Sequence, residues 1–343
     1  MKQHNIRHIT EHANFIKRFR FLWKITAALI ILLFAGWALL DAFVIPRDIV
    51  TAEDASGQSD TSDASGSDSL SASADTAGEA DQAESADTSD AVDVLTEPVI
   101  TDTSYRDDSI SIEIRTMRTL DTDVYIADII LEDPYCLKTA LAQDSFGRNI
   151  TDTTSYMAGQ HNAILAINGD YYGFRETGYV MRSSYLYRDV ISRDPDQEDL
   201  VRYPDGTFEI VKEAEVSAQE LKRRGAVDIF SFGPGLIIDG EVAVSEDDEV
   251  ERAQVTNPRT AIGVLGPLHY MFLVSDGRTK ESTGLSLLQL AELMKELGCE
   301  SAYNLDGGGS STFWFNGKVL NKPTTFGDTI EERSISDILF IGQ

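Results

Sequence analysis

"NLDGGGSSTF", residues 304–313, sets one carboxylate, three consecutive glycines and two hydroxyls between apolar residues. Glycine loses more backbone freedom on folding than any other residue. Three in a row therefore imply a place where backbone must approach something closely. Upstream, "CESAY" (299–303) reads as a strand running into this loop. Downstream, "TFWFNGKVLN" (312–321) reads as a hairpin turning at Asn316-Gly317.

The surrounding stretches repeat the theme. "HYMFLVSDGR" (269–278) is an apolar strand ending in Asp276-Gly277, and "NAILAINGDYYGF" (162–174) is a buried strand ending in Asn168-Gly169-Asp170. Between the first of these and the glycine loop lies "SLLQLAELMKELG" (286–298). Ser286 and Gln289 make a capping box there, Leu287, Leu290, Ala291, Met294 and Leu297 form an apolar face, and Gly298 is the stop. If the strands flanking this helix are parallel neighbours, their C-terminal ends share one sheet edge, and Asp276 and Asp306 face one crevice.

Earlier segments supply more strands. "SISIEIRTM" (109–117) and "DVYIADIIL" (123–131) alternate, and a short helix is expected near 153–160. "YVMRSSYLYRDVI" (179–191) and "LVRYPDGTFEIV" (200–211) read as hairpins. "SAQELKRRG" (217–225) is a helix capped by Ser217. "VDIFSFGPGLIIDGEVAV" (227–244) is strand, Gly-Pro-Gly bend, strand. Hairpins mixed with strand-helix-strand passages predict an α+β domain, mixed β-sheets with flanking helices, over 99–343.

The first hundred residues read differently. Residues 1–24 carry Lys2, Arg7, Lys17, Arg18, Arg20 and Lys24 against one acid, Glu11, as a basic cytoplasmic segment. "ITAALIILLFAGWALLDAFVI" (25–45) has the roughly 20 apolar residues that span a bilayer as a helix. A cleaved signal peptide is the rival, but its apolar run is shorter and ends at a small-x-small site. The basic flank stays inside. The chain then reads as a single-pass type II protein of the cell membrane with its domain extracellular. Residues 46–98, dominated by Ser, Asp, Ala and Thr, read as a disordered acidic stalk, too apolar-poor to offset chain entropy.

Composition narrows the chemistry. The chain's 343 residues include 57 acids and 29 bases, for a net charge of −28, and show no basic stripe for nucleic acid. His161 and His269 are the histidines of the 99–343 region, which argues against a His-rich zinc cluster and a Ser-His-Asp triad. Cys136 and Cys299 are either a disulfide or two buried thiols. Carboxylates remain for acid–base work: Asp306, Asp276 and Asp170. Consecutive N–H groups at Gly307, Gly308 and Gly309 read as an anion nest, with Ser310 and Ser311 as further donors and Arg259 as a fork for phosphate. A carboxylate pair beside an anion nest suits attack on a sugar carbon that carries a phosphate leaving group.

"AINGDYYGF", "SFGPGLIIDGE", "NPRTAIGV", "VSDGR", the S-x-x-Q helix and "YNLDGGGSSTFWFNGKVLN" occur in this order. The order resembles the phosphodiester glycosidase family across roughly 162–342. The resemblance implies a hydrolase of sugar-1-phosphodiesters, with a glycan, wall polymer or exopolysaccharide as partner and no required cofactor. By motif it carries over Asn168, Asp170, Arg259, Asp276, Asn304, Asp306, Gly307, Gly308, Gly309, Ser310 and Ser311. Relatives often have N-G-G-F-F where this chain reads N-G-D-Y-Y, so Asp170 stands as either a variant side chain or an acid. Two alternatives stay open. One is a non-catalytic module binding anionic glycans. The other is a metal-dependent phosphodiesterase that holds Mg²⁺ or Ca²⁺ on Asp170, Asp276 and Asp306.

Overall fold

The computed structural model describes residues 50–51, 97–248, 256–326 and 329–343. Residues 1–24, the expected anchor at 25–45 and nearly all of the expected stalk at 46–98 lie outside them. Among the described residues no helix is long and apolar enough to cross a membrane. Val50 and Thr51, inside the expected stalk, pair antiparallel with Phe146 and Ser145.

Strand alternation organises the rest. The principal strands are β1 (Ile110–Thr119), β2 (Thr122–Leu131), β3 (Leu137–Leu141), β4 (Leu165–Asn168), β5 (Val180–Arg182), β6 (Glu198–Arg202) and β7 (Phe208–Lys212). They continue with β8 (Asp228–Phe230), β9 (Gly235–Ile238), β10 (Arg259–Gly266), β11 (His269–Ser275), β12 (Ser301–Asn304), β13 (Phe313–Phe315) and β14 (Asp337–Ile341). The helices are α1 (Thr154–Gln160), α2 (Ala218–Arg223) and α3 (Leu287–Glu296). The result is a strand-rich fold with few helices.

A large sheet runs β9-β12-β10-β11-β2-β1 and is extended at both ends by short strands. In β11, Tyr270, Phe272 and Val274 point to one face and Met271 and Leu273 to the other, the period-two pattern of a strand buried on both sides. The first face packs on a five-stranded sheet containing β13-β4-β14-β3, through Ile167, Phe313, Phe315 and Leu339. The second face is covered by α3. Helix α1 closes the outer face of the smaller sheet, with Met157 and Ala158 against Trp314 and Phe340. A third sheet, in the order β5-β8-β6-β7, packs its own core on α2. The Gly233-Pro234-Gly235 bend therefore separates strands of two different sheets, β8 and β9.

The strands flanking α3 are not neighbours. β10 lies between β11 and β12 and is antiparallel to both. β11 and β12 thus run the same way one strand apart, and their C-terminal ends still emerge on the same sheet edge. Every ladder along the large sheet is antiparallel, so the order β12-β10-β11 comes from the long connection through α3. Cys136 and Cys299 are both buried free thiols.

Helix α3 forms where the pattern placed it. Ser286 Oγ accepts from the Gln289 N–H at 3.1 Å, and Gln289 Oε1 accepts from the Ser286 N–H at 2.9 Å. Leu297 is the C-cap, and Gly298 at φ 94° provides the left-handed stop. Leu287, Leu290, Ala291, Leu293 and Met294 are buried against the large sheet. Each large side chain contributes about 1.5–3 kcal/mol by burial. Leu290→Ala is expected to destabilise the protein by about 2–5 kcal/mol, read as a lowered midpoint in urea unfolding with unchanged m-value.

Candidate active site

The strand ends converge through one buried amide. Asn168, at the end of β4, accepts at Oδ1 from Thr260 Oγ1 of β10 at 2.8 Å and from the Thr312 N–H at 3.3 Å. Its Nδ2 donates to the Asp306 carbonyl at 2.6 Å. The Asp306 N–H in turn donates to the Gly169 carbonyl at 3.2 Å. Asp306 is thereby held from both sides of its backbone, at the junction of the two main sheets. Asn304, one turn of strand earlier, donates from Nδ2 to the Gly233 carbonyl at 2.8 Å.

The glycines answer a packing demand more than a hydrogen-bonding one. A Cβ at Gly307 would lie 2.9 Å from the Pro258 carbonyl oxygen. At Gly308, which has φ 65°, it would lie 2.6 Å from Arg278 Nη2. At Gly309 it would meet Thr325 Cα at 2.8 Å and Arg333 Nη2 at 2.9 Å. Two guanidinium groups are thus seated directly on bare backbone. Of the expected nest, the Gly308 N–H is spent inside the protein, on Pro258 O at 2.8 Å; just beyond it the Ser310 N–H donates to Gly307 O at 3.3 Å and the Ser311 N–H to Gly308 O at 3.2 Å.

Arg259 lies next to the loop in backbone: a Cβ built at Gly307 would be 3.9 Å from its Cα. It sits at the start of β10, and its Nε donates to the Leu285 carbonyl at 2.9 Å, on the α3 face of the sheet. Arg278 and Arg333 are cations beside the loop as well. Arg278 is tied by Nε to Asn257 Oδ1 at 3.1 Å, and the Arg333 N–H donates to the Gly309 carbonyl at 3.2 Å. Burial pulls the Arg278 pKa down, Arg333 adds to that by repulsion, and Asp306 opposes it.

Asp306 is the carboxylate at the centre. It is only 7% exposed, and burial pushes its pKa up to about 6. Ser310, Arg333, the Gly307 N–H and Arg175 each pull it back. Ser310 Oγ acts from nearby without hydrogen-bonding geometry. Ser310 Oγ, Ser311 Oγ, Thr312 Oγ1 and Asn304 Oδ1 are all buried with no protein partner. Buried polar groups are nearly always paired, and these four cluster within nine residues of chain around Asp306.

The other two carboxylates are committed. Asp276 leaves the same sheet edge as Asp306, and its Oδ1 accepts from the Lys322 N–H at 2.8 Å and from Asn321 Nδ2 at 3.4 Å. Asn321 also donates to the Ser311 carbonyl at 2.9 Å, so Asp276 braces the loop from beneath. Burial raises its pKa, and the Lys322 N–H and Asn321 lower it. Asp170 is turned inward. Its Oδ2 accepts from Arg182 Nη2 at 2.9 Å and from the Ser231 N–H at 3.2 Å, and its Oδ1 from the Tyr172 N–H at 2.8 Å. Arg182 also pairs with Asp337 at 2.6 Å and lies 3.9 Å from the Phe230 ring centroid. Burial works against the Arg182 charge, and Asp337 and Asp170 outweigh it. Among the described residues no group of three or more His, Cys, Asp or Glu is placed to hold a metal ion.

The sequence reading missed Arg175, Arg182, Arg278, Arg333, Asn321 and Asp337. Arg278 carried a signal, since it follows Asp276-Gly277 directly. Arg333 and Asn321 carried none, because they reach the loop only through the tertiary fold.

The chain belongs to the phosphodiester glycosidase family, whose profile matches residues 161–342, more than half of its length. It is similar to the SPbeta prophage-derived uncharacterized protein YomE of Bacillus subtilis, at 32% identity over 57% of this chain and 30% of that protein. It is also similar to the mouse N-acetylglucosamine-1-phosphodiester alpha-N-acetylglucosaminidase, at 32% identity over 29% of this chain and 21% of that one. The chain spans less than a third of the length of either relative. Two solved structures share the fold. One is the zebrafish N-acetylglucosamine-1-phosphodiester alpha-N-acetylglucosaminidase catalytic domain, auto-inhibited by its pro-peptide, with TM-score 0.54 and 21% identity over 68% of this chain and 83% of that one. The other is a hypothetical protein from Synechocystis, with TM-score 0.53 and 14% identity over 68% and 62%.

The raised Asp306 pKa has a stability consequence. The folded state holds this proton more tightly than the unfolded chain, whose carboxyl titrates near 3.8. Stability is therefore lost as pH rises from about 4 through about 6, by ~2–3 kcal/mol. Asp306→Asn removes the penalty. The variant is expected to unfold at higher urea than wild type at pH 7.5 and at a similar concentration at pH 4, measured by circular dichroism.

Proposed function

We propose that this protein hydrolyses the glycosidic bond of a sugar-1-phosphodiester, with Asp306 as the reacting carboxylate. The observation that carries this reading is the setting of Asp306: a buried carboxylate with its pKa raised to about 6, beside a loop on which Arg278 and Arg333 are seated. Family membership supports the reaction class, and the names of the mammalian relatives support a glycosyl phosphodiester as substrate.

In this proposal the phosphate rests against Arg278 and Arg333, with the orphaned Ser310 and Ser311 hydroxyls as further donors. The bond from the anomeric carbon to the bridging oxygen breaks, and a phosphate monoester departs with the electron pair. The guanidiniums stabilise the charge that builds on it. A phosphate monoester leaves readily, so little acid help is needed. Ionised Asp306 either attacks the anomeric carbon, forming a glycosyl ester that water then cleaves to free the sugar and the carboxylate, or takes the proton of a water that attacks the carbon directly; in both cases the water oxygen ends on the sugar. Asp276 acts through Asn321 to hold the loop, and Asp170 with Arg182 holds the strand end behind Gly169. The reaction calls for no metal, and EDTA is expected to leave turnover unchanged. In the same reading the domain works outside the cell, tethered by residues 25–45, on a surface glycan, wall polymer or exopolysaccharide.

Turnover of UDP-N-acetylglucosamine or an alkyl N-acetylglucosamine-1-phosphodiester in ¹⁸O-water tests the bond cleaved. Label is expected on the sugar, and label on phosphate would instead indicate a phosphodiesterase. Asp306→Asn is expected to lower kcat by at least about 10²-fold, and near-normal turnover in that variant would remove Asp306 from the chemistry. Wild-type kcat/KM is expected to fall as pH drops below about 6, where Asp306 takes up its proton.

Arg278→Ala is expected to raise KM for the diester by about tenfold or more, the scale of one lost charge-assisted hydrogen bond. A wild type that binds glycan without turnover would support the binding-module alternative.

A further inference from the structure

Two residues beyond Gly169, whose carbonyl holds the Asp306 N–H, begins a pair of aromatic rings that lies outside the hydrophobic cores. Tyr171 and Phe174 stack with centroids 4.8 Å apart and planes at 19°. Neither belongs to any of the hydrophobic cores, and Phe174 is 40% exposed. Tyr171 is the N-cap and Phe174 the last residue of the one-turn helix Tyr172–Phe174, just after Gly169 and Asp170. The Gly169 carbonyl is the acceptor for the Asp306 N–H, so the rings begin two residues from a direct contact with the central carboxylate.

The platform is built and braced. The Arg175 guanidinium carbon lies 5.8 Å from the Tyr171 centroid and 5.0 Å from that of Phe232, and its Nη1 donates to the Ser231 carbonyl at 3.0 Å. Arg188 Nη1 donates to the carbonyls of Tyr172 at 3.0 Å and Arg175 at 2.7 Å, fixing both ends of the turn. The pair thus presents partly exposed aromatic surface held in place by Arg175 and Arg188.

Its side of the site is defined as well. Arg278 and Arg333 approach the glycine loop at Gly308 and Gly309, whereas Tyr171, Phe174 and Arg175 approach from Gly169. A phosphodiester bound by the Arg278–Arg333 pair with its anomeric carbon at Asp306 would extend its sugar ring toward the aromatic pair.

We propose that Tyr171 and Phe174 form the binding platform for the pyranose ring whose glycosidic bond is cut, across Asp306 from the Arg278–Arg333 phosphate site. The C–H face of a pyranose carries small positive charges that meet the negative face of an aromatic ring, and it sheds water from both surfaces. The assignment rests on Asp306 as the reacting carboxylate.

Calorimetry on the full chain in detergent, with free N-acetylglucosamine and inorganic phosphate as separate probes, tests it without requiring turnover. Phe174→Ala is expected to weaken sugar binding about three- to tenfold, the scale of one lost ring contact, and to leave phosphate affinity unchanged. Phe174→Trp is expected to restore sugar binding. Arg278→Ala is expected to give the reverse pattern, losing phosphate and keeping sugar. The platform is overturned if Phe174→Ala leaves sugar affinity intact, if it weakens both probes equally, or if wild type binds neither N-acetylglucosamine nor glucose. Sugar binding that depends on Phe174 in a protein that turns over no phosphodiester would remove the hydrolase reading and leave the platform standing. Turnover with an unchanged KM in Phe174→Ala would do the opposite.

Discussion

The side-chain amide of Asn168 is the constraint on which the rest of the site depends. It is fully buried, so each of its polar atoms must find a partner inside the protein. Its oxygen is taken by Thr260 of the large sheet and by Thr312 beyond the glycine loop, and its nitrogen by the Asp306 carbonyl. One residue at the end of a central strand thus locks the second sheet, the start of the loop and its far end into one register. A shorter or apolar side chain there would leave three buried groups unpaired at once, each costing about 1–3 kcal/mol.

That lock makes it possible to hold a carboxylate where ionisation is unfavourable. Burial raises the Asp306 pKa, and the surrounding cations and the Gly307 N–H only partly offset it. The orphaned oxygens of Asn304, Ser310, Ser311 and Thr312 add to the cost. A fold optimised for stability alone would neutralise or pair these groups. Polarity fixed in advance, and left unsatisfied by the protein itself, is what stabilises charge that appears only during a reaction. A second buried charge set, Arg182 with Asp170 and Asp337, stands directly behind. A Cβ at Gly169 would lie 2.4 Å from Asp337 Oδ1, so the Asn-Gly dipeptide is required by that cluster as much as by the site.

Much of the architecture was legible along the chain because local rules dictate it. The capping box of α3, the stop at Gly298, the Asn316-Gly317 turn and the two-residue period of β11 are written in residues a few positions apart, where propensity and hydrophobic pattern act directly. The roles of Asp170 and Arg259 were not legible. Asp170 stands open between variant side chain and acid until Arg182, twelve residues on, is seen turned back onto it. For Arg259, the strand alternation of β10 and the bond from its Nε to the Leu285 carbonyl are visible only in the fold.

By itself the sequence determined most of the strands and the three helices (β3 and β14 went unread), that three strands end in turns built on glycine and an acid, and that backbone must be bare at 307–309. Those follow from side-chain size, period and φ preference, all short-range properties. Only the tertiary structure decided what occupies the bare backbone, which carboxylate is left uncommitted, and which cations face it. Arg278, Arg333 and Arg175 reach Asp306 from three separate loops. Charge interactions act through space, and the sheet order that sets those distances comes from β10 lying between the two strands that the chain joins through α3.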